Sequence, residues 1–187
     1  MERALVELAR DGDEEAFASL IRMAGDRLMA VAFRILRDVD RAEDAVQQAI
    51  VTAWRELPAL RDPDRFDAWL YRILVHACYL EARRTRRWDA NVRVLTPDMP
   101  SGSSAGFLSV EDRDELDRAF RRLPPEQRAV FVLHHHLGMR HAEIAETLDV
   151  PLGTVKSRIH YASATLRAAI EADSRTTSTP STRERPA

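Results

Sequence analysis

Cysteine is almost missing from this chain of 187 residues: Cys78 stands alone. An intramolecular disulfide and a cysteine-cluster metal site are both excluded, and a reducing compartment is the natural expectation. Glycine is scarce, at 6 residues, and alternating β-branched runs are few, so helices rather than strands are expected. No run approaches the ~18 uninterrupted apolar residues that a membrane-spanning helix needs. The first residues are charged (Glu2, Arg3, Glu7, Arg10), without the apolar centre of an export signal. The expectation is a soluble, cytoplasmic protein with no membrane insertion. Lysine is as rare as cysteine. Lys156 is the only one, arginine supplies the other cations, and a GC-rich genome is explanation enough. The net charge of -2 leaves no general affinity for nucleic acid, so any basic surface has to be local.

The signatures of catalysis are missing too. No glycine-rich dinucleotide loop, phosphate-binding loop, nucleophile elbow or paired-histidine zinc motif occurs. The many Asp and Glu side chains fall on the polar faces of amphipathic helices, where water is their usual partner. His134-His135-His136 invites a metal, but neighbouring helical residues point about 100° apart and three in a row do not converge on one ion. Neither an active site, nor a metal, nor a cofactor is expected.

What is present is helical periodicity. Phe17, Leu20, Ile21, Ala24, Leu28, Val31, Ala32 and Ile35 recur at threes and fours, predicting a helix from Asp13 to Leu36 with Gly25 as a place to bend. Asp38-Val39-Asp40 breaks the pattern. Asp40 with Glu43 three residues later reads as a capping box for a helix over Arg41 to Leu57, with Ala42, Ala45, Val46, Ala49, Ile50, Ala53 and Trp54 inward. Pro58 and Pro63 bracket a polar loop ending at Arg65. A third helix is expected from Phe66 to Arg87, burying Phe66, Trp69, Leu70, Ile73, Leu74, Ala77 and Leu80. It ends in four arginines within five positions, either a solvated helix end or a phosphate clamp. Trp54 and Trp69 fit core packing, although an aromatic beside a cationic helix is also what stacks an unpaired base.

From Trp88 to Ser109 the pattern dissolves into Pro, Ser and Gly, dividing the chain into two helical units. A charged helix from Val110 to Arg122 and another from Glu126 to Leu137, closed by Gly138, are expected beyond it. Arg140 to Arg167 then reads as a short helix, a turn at Asp149-Val150-Pro151 and a longer helix. Val155, Ile159, Ala162 and Leu166 form its inner stripe, and small Ala145 lets the two helices cross closely. The outer face of the second helix carries Thr154, Lys156, Ser157, Arg158, His160 and Tyr161, which suit phosphates and base edges. The pattern suits a helix-turn-helix lying in a DNA major groove, with an ordinary helical hairpin as the alternative. The residues from Ala172 on predict a disordered tail.

Three stretches in this order resemble the bacterial sigma-70 family, and within it the short extracytoplasmic-function (ECF) group, over Asp11 to Ile170. Asp40-Arg41-Ala42-Glu43-Asp44-Ala45-Val46-Gln47-Gln48 resembles the region-two helix that docks on polymerase. Phe66-Asp67-Ala68-Trp69-Leu70-Tyr71-Arg72-Ile73 resembles the helix that melts the downstream promoter element. Gly153-Thr154-Val155-Lys156-Ser157-Arg158 resembles the helix that reads the minus-35 element. The resemblance implies an all-α chain of two small domains: region two over 1–88, a flexible linker over 89–110, region four over 111–171 and a disordered tail over 172–187. It implies a non-catalytic subunit that binds core RNA polymerase at the β′ clamp helices and the β flap and directs initiation at particular promoters. Glu43, Asp44, Gln47 and Gln48 would then face the polymerase. Leu60, Arg61, Asp62, Arg65, Trp69, His76, Arg83, Arg84, Arg86 and Arg87 would bind and melt the minus-10 element. Arg140, His141, Thr154, Lys156, Ser157, Arg158 and Tyr161 would hold the minus-35 element. An anti-sigma factor is a further partner that many ECF members have. His76, Leu80, Tyr161 and Ser163 depart from the family pattern, two of them by replacing cations on the recognition helix. A stand-alone helix-turn-helix regulator is the competing reading. It would bind duplex DNA tightly without polymerase, usually as a symmetric dimer.

Overall fold

The computed structural model describes residues 3–93 and 117–177, with side chains up to Arg84 in the first part and up to Ala169, together with Glu171, in the second. Among them every regular element is a helix. Helix α1 (Arg3–Arg10) was not apparent in the apolar pattern, because its inner face is only Val6 and Ala9. Helix α2 (Glu14–Leu36) starts where Asp13 accepts the N–H of Ala16 at 2.9 Å, and it runs unbroken through Gly25. Arg37 stops it in the left-handed conformation, φ 60°.

Helix α3 (Val39–Glu56) begins two residues earlier than the sequence suggests. Its cap is Asp38, which accepts the Arg41 N–H at 3.1 Å, while Asp40 lies inside the first turn as an acid suited to the positive helix end. The buried face is all alanine: Ala42, Ala45, Ala49 and Ala53. Val46 and Ile50 are half-buried against it, and Trp54 lies at the surface with its ring 4.9 Å from that of Phe17.

Two single 3-10 turns, Leu57–Ala59 and Pro63–Arg65, replace the open loop expected there. Helix α4 (Phe66–Arg93) outlasts its expected end at Arg87, so the helix continues past Trp88 where the apolar pattern stops. Backbone propensity carries it, since no Gly or Pro occurs before Pro97. Phe66, Leu70, Ile73, Leu74 and Ala77 are buried as expected. Leu80 is not: it is 44 % exposed, at the edge of a groove.

Most of the linker and the start of the charged helix beyond it lie outside the described residues. Helix α5 is seen over 117–122. Helix α6 (Pro125–His135) ends near Gly138, whose φ of 69° gives the left-handed turn that lets Met139 N–H reach the Leu133 carbonyl at 3.1 Å. Helix α7 (His141–Leu148) and helix α8 (Leu152–Thr177) make the expected pair, joined through Asp149 at φ 53°. The short polar side chain of Asp tolerates this conformation better than most. Val155, Ile159, Ala162 and Leu166 are all buried. The tail expected from Ala172 is helical to Thr177, because Ala168, Ala169 and Ala172 favour helix and Pro180 is the first breaker.

The two units touch. Helix α6 packs on α2 and α4, and α7 packs on α4. Ala129, Val130, Val132 and Leu133 of α6 belong to the same buried cluster as Leu28, Ile35, Leu70 and Leu74. A smaller cluster holds α5 to α8 through Ala119, Leu123, Ala162 and Leu166.

Candidate nucleic-acid interface

The alanine stripe turns the other side of α3 to water. Glu43, Asp44, Gln47 and Gln48 are all exposed there, and Gln48 is braced along the helix by Thr52 at 3.3 Å. This face carries two carboxylates and two amides and no buried ionisable group. It can form hydrogen bonds and ion pairs with a partner surface, but it has no catalytic arrangement.

The residues expected around the melted strand spread along the 3-10 turns and α4. Arg61 and Asp62 are exposed, with the Asp62 carboxylate accepting the Asp64 N–H at 3.1 Å to shape the turn. Leu60, in contrast, is only 9 % exposed and belongs to the core, so its side chain anchors the loop instead of facing a nucleotide. Arg65 is at the surface but engaged, 2.7 Å from Glu146 of α7. Trp69 is half-buried, its ring 5.7 Å from that of Phe66. His76 is exposed two helical turns further along α4, on nearly the same side. Arg83 and Arg84 are exposed, Arg84 paired with Glu81 at 2.8 Å. The side chains of Arg86 and Arg87 lie outside the described residues.

On the helix-turn-helix, Lys156, Ser157 and Tyr161 are exposed and share the outer face of α8. Thr154 is half-buried, and its carbonyl accepts the Ser157 hydroxyl at 3.0 Å, which holds Ser157 close to the helix. His160 also stands on this face, its ring 5.8 Å from that of Tyr161. The sequence already placed it on this face by spacing. Arg140 reaches out at the entry of α7. Its guanidinium makes bonds of 2.9 and 2.6 Å to Glu143, whose other oxygen accepts the Arg140 backbone N–H at 2.7 Å. Those bonds hold the Glu143 carboxyl below its ordinary range. Arg158 departs from expectation. It is half-buried and lines the groove between α8 and the α3–α4 pair, beside Gln48, His76 and Tyr79.

Among the described residues no three His, Cys, Asp or Glu side chains are grouped so that they could share an ion. His134 lies against both His135 and His141, with ring centroids 4.7 and 4.6 Å apart, while its Nδ1 bonds the Met139 carbonyl at 2.8 Å. Burial, followed by the neighbouring His134 and His141, lowers the pKa of His135. The cluster therefore locks the C-terminal end of α6 to the start of α7.

Residues 20–88 match the model of sigma-70 region 2 and residues 113–166 that of sigma-70 region 4. The RNA polymerase sigma-H factor of Pseudomonas aeruginosa is 30% identical over 173 residues, covering 86% of this chain and 89% of that protein. The ECF RNA polymerase sigma-E factor of Escherichia coli is 31% identical over 172 residues, with 86% and 90% covered. The chain belongs to the ECF group of the sigma-70 family. Its fold agrees: the structure of CnrH in complex with the cytosolic domain of CnrY superposes with a TM-score of 0.65 at 28% identity, covering 91% of this chain and 97% of that one. As an ECF sigma factor the chain is a non-catalytic subunit. It binds core RNA polymerase and directs promoter-specific initiation, recognising the minus-35 element and melting the minus-10 element. No helix among the described residues is long and apolar enough to cross a membrane.

Proposed function

We propose that this sigma factor divides its work among three surfaces. Residues 1–88 supply the polymerase-docking face of α3, with Glu43, Asp44, Gln47 and Gln48, and the melting surface along the 3-10 turns and α4. Arg61, Asp62, Arg65, Trp69, His76, Arg83, Arg84, Arg86 and Arg87 act on the minus-10 element there, with Leu60 fixing the loop from inside. Residues 111–171 read the minus-35 element through Lys156, Ser157, Arg158, His160 and Tyr161, with Arg140, His141 and Thr154 at the edges. The single observation that carries this reading is the α3 face. Four polar side chains stand exposed opposite a stripe of buried alanines, so the helix offers a polar surface to a partner, with Gln48 at its border with the groove toward α8.

The site of action is the cytoplasm, where polymerase and DNA are. CnrH, a similar structure, was solved with the cytosolic domain of CnrY, which supports a further protein partner here. The family expectation for that partner is an anti-sigma factor.

Reconstitution with core polymerase tests the division. Asp44→Arg with Gln48→Arg is expected to abolish co-elution with core polymerase on gel filtration. Lys156→Ala should leave co-elution intact and weaken transcription from mapped promoters. Undiminished co-elution of the α3 double variant would overturn the assignment.

A further inference from the structure

We propose that Arg3 of α1 positions the loop that takes up the minus-10 strand, through its ion pair with Asp64; this rests on the assignment of residues 60–65 to that strand. Helix α1 precedes residues 20–88, the part that matches region 2, so its place comes from the structure. Its inner face, Val6 and Ala9, is buried, and the helix packs on α2 and on both 3-10 turns. It lies along the loop.

Three apolar side chains anchor that loop from inside: Leu57, Leu60 and Pro63 are buried. Arg61, Asp62, Asp64 and Arg65 are exposed. Two arginines and two aspartates cancel, so the loop has no net charge of its own with which to draw a phosphate strand. What it presents depends on where each side chain is held. Asp62 is engaged locally, its carboxylate accepting the Asp64 N–H at 3.1 Å. Asp64 is drawn to α1, where Arg3 Nη1 donates to its Oδ2 at 2.7 Å. The guanidinium is itself fixed, because its Nε donates to Glu7 Oε1, one turn along α1, at 2.9 Å.

Arg3 and Asp64 are 58% and 61% exposed. An ion pair in that setting adds little to stability. Its effect is on orientation. It ties the loop to a helix 61 positions away in sequence, and it keeps the Asp64 carboxylate off the strand that Arg61 is to meet. Without Arg3 that carboxylate could turn toward the phosphates and repel them.

The experiment reads strand opening by holoenzyme, reconstituted from the full chain and core polymerase, on a mapped promoter. Permanganate reactivity of the minus-10 thymines gives the rate. Arg3→Glu sets two carboxylates against each other and is expected to slow opening about fivefold, the upper end for an exposed pair. Asp64→Arg alone sets two guanidiniums together and should not speed opening. In the Arg3→Glu background the same change restores the pair with its charges exchanged, and should bring the rate back to within about twofold of wild type. Co-elution with core polymerase, affinity for a minus-35 duplex and the thermal midpoint should stay unchanged throughout, since neither side chain belongs to the core. A merely structural brace would lower the midpoint along with the rate.

The proposal is overturned if Asp64→Arg changes the rate by the same factor in both backgrounds, or if Arg3→Glu opens DNA as fast as wild type. Arg61→Ala and Trp69→Ala in the same assay separate this role from the reading beneath it. If these slow opening while the Arg3 and Asp64 changes act independently, only the positioning role falls. If they too leave opening unchanged, the assignment of the loop to the minus-10 strand has failed, and the role of Arg3 falls with it.

Discussion

Lys156 is the chain's only lysine and stands exposed on α8 beside Ser157, where a compact ammonium on a flexible stem meets phosphate as a point charge. Lys156→Ala should therefore weaken binding almost equally across promoter sequences and lower the slope of log affinity against log salt by about 1. Fluorescence anisotropy of the holoenzyme on minus-35 duplexes at several salt concentrations measures both. A change of base preference with an unchanged slope would mean that Lys156 reads a base edge. Tyr161 and His160 play another part. Their rings lie together on the outer face, and neither carries the fixed charge that arginine would bring at this position. If this face meets the minus-35 element as proposed, they would offer apolar contact and single hydrogen bonds to base edges, and discrimination at this end of the helix would not depend on bidentate pairing.

At the level of the element, caps decide where helices begin. Asp38, not Asp40, accepts the backbone N–H at the start of α3. Asp38→Ala should cost about 1 kcal/mol and Asp40→Ala a few tenths, as the loss of an acid near a helix dipole. Urea denaturation of the two variants checks the order, and a larger loss for Asp40→Ala would refute it. The misplaced cap shows what local pattern can reveal. Val155, Ile159, Ala162 and Leu166 were legible because a stripe at threes and fours has one inward side whatever surrounds it. The choice between two aspartates two residues apart depends on backbone angles that composition does not carry. Leu80 continues the inner stripe of α4 by spacing, yet it ends at a groove edge because the bundle no longer covers that turn. Arg158 was placed on or beside the outward face because it is polar, and it lies half-buried at the groove toward α3 and α4, which local pattern does not reveal. The family motifs assign docking, melting and reading to three of the helices. They were silent about how the two domains rest on each other.

For the molecule as a whole, the histidines at the α6–α7 junction add a small pH dependence to stability. Burial, then the neighbouring His134 and His141, lowers the pKa of His135, and burial, then Arg34, lowers that of His136, from an ordinary value of 6.5. Above that value both folded and unfolded chains hold these rings neutral. As the pH falls below it, the unfolded chain takes up protons that the folded chain resists, so stability declines. The window lies above that of Glu143, whose depressed carboxyl loses its contribution only in more acid solution. Both rings are largely exposed, so the effect should be small. The urea midpoint should be lower at pH 5.5 than at pH 7.5, and His135→Gln with His136→Gln should reduce the difference. A midpoint that rises on acidification would contradict the sign.

The alanine face of α3 has a consequence for how this chain can vary. Four small side chains leave the helix axis no cushion, so any bulkier residue at Ala42, Ala45, Ala49 or Ala53 must push the whole helix outward, at a cost of about 1–3 kcal/mol. Glu43, Asp44, Gln47 and Gln48 would then move together by the same displacement. Exchanges among those outer four alter one contact at a time, whereas a single inner exchange shifts the register of all of them. For packing, the inner side of the helix is thus the less forgiving one.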